Sequence, residues 1–172
     1  MKNGFTLLEM LVSIAIIALM SAVLSQVFIT TLRVNTKTEL LKDMKQNGEL
    51  ALETMVRLIQ NAKRVDCVSA SEILVTGSDD GQTTLGCAIS GSATRIASTS
   101  ATRTSYLTSK SATLGGATCA GSTLAFVCVS SAGQPTTVTV SFRLSQAGIG
   151  SEAFNTVNEP FQSSATTRNI AN

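Results

Sequence analysis

Hydrophobic and polar positions divide the chain into three regimes. From Met10 to Leu32 no charged residue occurs, and Arg33 closes the run. About 20 apolar residues suffice for a helix to cross a hydrocarbon core, so this stretch is long enough for one crossing. Beyond Arg33 the pattern becomes amphipathic. Leu41, Met44, Gly48, Leu52, Met55, Ile59 and Ala62 recur at spacings of three and four, which places them on one helical face. Lys42, Lys45, Glu49, Glu53 and Arg57 take the opposite face, with Glu53 and Arg57 in favourable i,i+4 spacing. No proline precedes Pro135, so the pattern predicts one helix from Phe5 to about Arg64. Some 60 residues at about 1.5 Å each would reach roughly 90 Å. Gly48 is its weak point, costing about 1 kcal/mol relative to alanine. It either bends the helix or lets a sheet come close.

Past Asp66 the period drops toward two. Strands are predicted over Glu72–Thr76, Thr83–Ile89 and Thr94–Ser98, the first two separated by the turn Gly77-Ser78-Asp79-Asp80-Gly81. Ser98 to Ala120 is rich in Ser and Thr and reads mostly as loop, with Tyr106 and Leu107 as an anchor. Ser122–Val129 and Thr136–Leu144 are the best strands, joined by a hairpin loop over residues 130–135. In the second, Val138, Val140, Phe142 and Leu144 share a face. The tail, with Gly148, Gly150 and Pro160, reads as irregular. A helix followed by strands is an α+β order, and the apolar face from Leu41 to Ala62 needs a sheet of about four antiparallel strands to cover it.

One residue inside the apolar edge does not fit a plain anchor. Glu9 is a carboxylate at the start of the membrane-length segment, where ionisable groups are costly and mark function. The string Gly4-Phe5-Thr6-Leu7-Leu8-Glu9 resembles the processing and methylation site of type IV prepilins and pseudopilins. The resemblance is strong over about residues 1–32, weaker to about residue 64 and faint beyond. It implies a membrane peptidase cut between Gly4 and Phe5, N-methylation of Phe5, and pairing of the freed amine with Glu9 of a neighbouring subunit. An α-amine titrates near 8, so it is largely cationic at neutral pH.

The fold implied is pilin-like, a long N-terminal helix packed on an antiparallel sheet. Its organisation would be a leader over residues 1–4, a transmembrane or filament-core half-helix over 5–32, an amphipathic half-helix over 33–64, and a β-rich head over 65–172. A secretory signal peptide fits less well. Its apolar core spans about 7–15 residues and ends in a small-x-small site, whereas Ala18-Leu19-Met20 and Met20-Ser21-Ala22 each place methionine at a key position.

Cys67, Cys87, Cys119 and Cys128 all fall in the head, and an even number in a Ser/Thr-rich exported domain reads as disulfides. Three pairings are possible. Cys67–Cys87 with Cys119–Cys128 is favoured, because each would staple sequence neighbours. With no histidine and no C-x-x-C pair, no zinc site is expected, and Asp79-Asp80-Gly81 lacks EF-hand spacing.

The net charge of +2 and the scattering of Arg95, Arg103, Lys110, Arg143 and Arg168, with aromatics at 4%, do not make a nucleic-acid stripe. No nucleophile elbow, P-loop or dinucleotide fingerprint occurs, so neither catalysis nor a cofactor is expected.

The resemblance implies a structural subunit of a type IV pilus, type II secretion or DNA-uptake filament. Its partners would be other pilins or pseudopilins, the prepilin peptidase, and, indirectly, an inner-membrane platform and motor ATPase. Lys2 would stay cytoplasmic and the head would lie on the outer side of the inner membrane before the subunit enters an extracytoplasmic filament. Many major pilins carry a proline in the apolar half-helix; this chain has none, which points to a minor subunit. The alternative is an adhesin or DNA-binding head displayed on the same anchor. Near the end, Phe161 to Asn169 loosely resembles the closing strand of some minor pilin-like proteins.

Overall fold

The computed structural model describes residues 6–131, 134–148 and 157–168, in two units, residues 6–39 and 40–168. Helix α1 is continuous over Leu7–Gln60. It stops four residues short of the predicted end, because Arg64 already belongs to the first strand. Along the amphipathic stretch Met44, Gly48, Ala51, Met55 and Ile59 are buried, with Leu41 and Leu52 half-buried beside them. The polar face stays in solvent, and Arg57 donates to Glu53 across 2.6 Å.

Two sheets rather than one cover this face. The first has strand order β1-β2-β3-β4-β5, from β1 (Arg64–Ser69), β2 (Glu72–Thr76), β3 (Gln82–Ser90), β4 (Ala93–Ser100) and β5 (Arg103–Tyr106). The second is built on β8 (Thr137–Gln146), flanked by β6 (Ala112–Thr113), β7 (Ala125–Val129) and β9 (Asn158–Thr166). All pairings are antiparallel.

The three strands predicted between residues 72 and 98 are present, lengthened by a residue or two at most ends. The β2–β3 turn forms with Gly77 N–H donating to Gly81 O at 2.9 Å, and Asp80 takes a positive φ of 58° there.

Two predictions are refined. Residues 98–120 do hold long loops, but the end of β4, all of β5 and β6, and the start of a short 3-10 turn (Cys119–Gly121) lie among them. The tail is not irregular throughout: β9 pairs with β8 from Asn158 to Thr166, overlapping the segment from Phe161 that resembled a closing strand, and residues 149–156 lie outside the described residues. Both segments lack apolar alternation. All four residues of β5 are exposed, and β9 buries only Ala165. Their strands are set by backbone pairing with a neighbour, which side-chain pattern does not report.

The core sits between α1 and the inner faces of the sheets. Val65, Ile73, Val75, Leu85 and Ile96 line it from the first sheet. Phe126, Val138, Val140, Phe142 and Leu144 line it from the second. Gly48 is where the second sheet comes close to the helix: a Cβ there would collide with the Phe161 ring, which stacks on Phe142 with centroids 5.1 Å apart. Asn47, one residue earlier, accepts the Ser109 N–H at 3.0 Å and pins the loop after β5 to the helix.

Candidate functional site

The N-terminal segment begins with a helix cap. Thr6 precedes α1 and accepts the Glu9 N–H on its hydroxyl at 3.3 Å and on its carbonyl at 3.1 Å; Met10 N–H reaches the same carbonyl at 3.3 Å. Thr6 and Glu9 have the spacing of a capping box, a signal present in the sequence and not used above. Glu9 is thus the acidic residue of the first helical turn, where the unpaired N–H groups favour negative charge. It is exposed, and it is the sole charge between Leu7 and Leu32. Gly4 and Phe5 lie outside the described residues.

The rest of the segment suits an apolar surrounding. Its large side chains, from Leu11 and Ile14 to Phe28 and Leu32, are exposed. Its hydroxyls are satisfied within the helix: Ser13, Ser21, Ser25, Thr30 and Thr31 each donate to the carbonyl four residues earlier at 2.8–2.9 Å. Such back-bonding removes the cost of leaving hydroxyl donors unpaired away from water. What remains is an apolar helix surface that carries one charge, the Glu9 carboxylate.

In the head all four cysteines are paired, but not as favoured above. Cys67 bonds Cys128 and Cys87 bonds Cys119, with Cα atoms 6.5 and 5.6 Å apart. Cys67 lies on β1 and Cys128 on β7, so the first bridge ties one sheet to the other, beside the Phe126 N–H to Ala70 O bond of 2.7 Å. The second anchors the 3-10 turn to β3. The favoured pairing assumed that sequence neighbours become spatial neighbours. Cys87 instead faces Ile96 across β3–β4, and Cys128 faces Val138 on β8.

Three of the head's basic residues, Lys63, Arg64 and Arg168, line one cleft, and the others stand apart from it. Lys63 is paired with Asp80 and Arg64 with Asp66, each at 2.7 Å, at the mouth of an open cleft of about 700 Å³ that Thr136, Thr167 and Arg168 also line. Arg103, Lys110 and Arg143 are exposed elsewhere. Arg95 is not a surface cation at all. It is 6% exposed, donates to Thr108 O and to Ser90 Oγ at 3.4 Å, and its guanidinium carbon lies 4.2 Å from the centre of the Tyr106 ring. Tyr106 serves as an anchor after all, through a cation–π contact at the end of a strand rather than within a loop. Among the described residues no cluster of three His, Cys, Asp or Glu is placed to hold a metal ion.

Residues 1–25 match the family described as the prokaryotic N-terminal methylation motif. No curated protein and no solved structure matches the chain. The motif, which is that of type IV pilin-like proteins, runs directly into an apolar helix of membrane-spanning length in a chain of α+β, pilin-like architecture.

Proposed function

We propose that the chain is a minor pilin or pseudopilin, a structural subunit that enters a filament of a type IV pilus, type II secretion or DNA-uptake machine. The observation that carries this reading is the methylation motif placed on a helix whose apolar surface holds a single carboxylate, Glu9, in its first turn. A peptidase removes residues 1–4, and Phe5 becomes the methylated amino terminus. Its ammonium neutralises Glu9 of the adjacent subunit. In a low-dielectric core two such charges attract far more strongly than in water, so pairing selects one stagger between helices. Moving the helix from lipid to a bundle of like helices exchanges one apolar contact for another, which keeps extraction from being prohibitive.

The subunit divides functionally into a leader (1–4), a filament-core half-helix (5–32), an amphipathic half-helix that leads into the head (from residue 33), and the head itself. Before assembly it is an inner-membrane protein with its head on the outer side, and its neighbours are other pilin-like subunits. Among the described residues of the head, Lys63 and Arg64 are each paired with a carboxylate and Arg103, Lys110 and Arg143 lie elsewhere, so the displayed adhesin or DNA-binding alternative gains no support from them.

The test is intact-mass analysis with N-terminal sequencing of the protein from native membranes or sheared filaments. A chain beginning at methylated Phe5 is expected. A chain still beginning at Met1 in cells with an active prepilin peptidase would make this an ordinary anchored protein. Glu9→Ala should be cut and inserted normally yet fail to enter filaments, and normal incorporation would remove the pairing account.

A further inference from the structure

Strand β9 closes the second sheet on one side, and its other side is open among the described residues: its sole strand partner is β8. Which backbone groups face that open side follows from two contacts. Thr123 Oγ1 donates to Arg143 O at 2.8 Å and accepts the Arg143 N–H at 3.1 Å, so both main-chain groups of Arg143 point away from β9. One strand position beyond the far end, Thr167 N–H donates to Thr136 O at 2.9 Å, so Thr167 points toward β8.

Hydrogen-bonded and non-bonded pairs alternate along an antiparallel ladder. Arg143 opposes Pro160. Hence Pro160, Gln162, Ser164 and Thr166 direct their main-chain groups outward, while Glu159, Phe161, Ser163 and Ala165 bond to β8. Pro160, which has no N–H, therefore costs the sheet no ladder bond. The edge thus offers three outward N–H groups and, with that of Pro160 itself, four outward carbonyls, on a run without charge between Glu159 and Arg168. Native edges are commonly blunted by charge, proline or a bulge. Here the proline and the charges stand at the ends, and the middle is left pairable.

We propose that the open edge of β9 takes up an extended segment of a different polypeptide chain as an added strand. Alternating unmet N–H and C=O groups at strand spacing are complementary to another strand and to little else. The ends state the partner's chemistry further. Glu159 and Arg168 form no ion pair with described residues, so the matching segment carries a cation opposite Glu159, a carboxylate opposite Arg168, and uncharged residues between.

A second copy of β9 does not meet that description. Antiparallel self-pairing through outward groups sets even-numbered positions against even-numbered ones, so Glu159 of one copy never stands opposite Arg168 of the other. The edge belongs wholly to the head, so this inference stands or falls apart from the role given to Glu9.

The experiment places a photo-crosslinking amino acid at Gln162, Ser164 or Thr166, in turn, in the full-length chain in its native cells, with Ser141 on the sheet face as control. Cross-linked peptides are then sequenced by mass spectrometry. The expected result is a single segment of another chain, its cross-linked position moving two residues for each step of two along β9, and no such product from Ser141. Ser164→Pro removes one outward N–H while leaving the β8 ladder whole. It should reduce the Gln162 cross-link about tenfold with an unchanged melting curve. Products that map to β9 of a second copy, products scattered over unrelated segments, or no product from any edge position would each overturn the proposal. If Ser164→Pro unfolds the head, the stepping of the three cross-links still decides.

Discussion

At the residue scale, Gly48 and Arg95 show how one side chain's meaning depends on what folds against it. Glycine in a helix interior costs about 1 kcal/mol against alanine, yet here it makes room for the Phe161 ring. Gly48→Ala is therefore expected to lower the head's melting temperature despite the gain in helix propensity. Overpacking costs about 1–3 kcal/mol, and Phe161 is held by its stack on Phe142. Combining Gly48→Ala with Phe161→Leu should recover much of the loss, and a double-mutant cycle followed by circular dichroism measures this. Equal and additive losses would mean that the two residues are not in contact.

Arg95 reads as one more scattered cation in the sequence and proves to be buried under an aromatic ring. Arg95→Ala should cost about 2 kcal/mol through lost packing and an unpaired Thr108 carbonyl. Arg95→Lys should fail to restore it, since an ammonium cannot both stack and bond in the same plane.

At the scale of elements, the disulfides carry the clearest prediction. They enclose sequence separations of 61 and 32 residues, against 20 and 9 for the neighbour pairing. By loop-closure entropy each should stabilise the head by about 4 kcal/mol. Peptide mapping without reduction should recover Cys67 linked to Cys128 and Cys87 linked to Cys119; a Cys67–Cys87 peptide would contradict the fold. Replacing Cys67 and Cys128 together should lower the melting temperature and loosen the seam between β1 and β7. By contrast, Glu53→Gln should be nearly silent, because the Arg57–Glu53 pair is solvated on both sides and such helix pairs are worth about 0.3–0.5 kcal/mol.

For the whole molecule, the two units should answer separately to mutation. Glu9 lies in residues 6–39 and the core in residues 40–168. Glu9→Ala should leave the melting curve of the detergent-solubilised chain unchanged while it changes filament incorporation. A lowered melting temperature would tie Glu9 to folding and weaken the assembly reading. Gly4→Leu should likewise leave the head intact and block the cut; a product of mature size would contradict a cut after Gly4.

What the sequence determined by itself was whatever is local. A charge-free run and a three-four spacing specify helix α1 and its buried face, because both ends of every helical contact lie within one turn. The same holds for β8, whose alternation of Val138, Val140, Phe142 and Leu144 survives intact as a buried face. The methylation motif is contiguous, within residues 1–25, and nothing folded is needed to read it. The tertiary structure alone decided the cysteine pairing, the partner of β9, the reason for Gly48 and the burial of Arg95. Each of these depends on which distant segment arrives as a neighbour. Loop entropy grows only with the logarithm of length, so it favours the neighbour pairing by only about 2 kcal/mol, a local preference that the packing of β1 beside β7 overrides. Strands β5 and β9 are held by backbone ladders that any Ser/Thr-rich stretch can join, and only the sheet already in place selects the stretch that does.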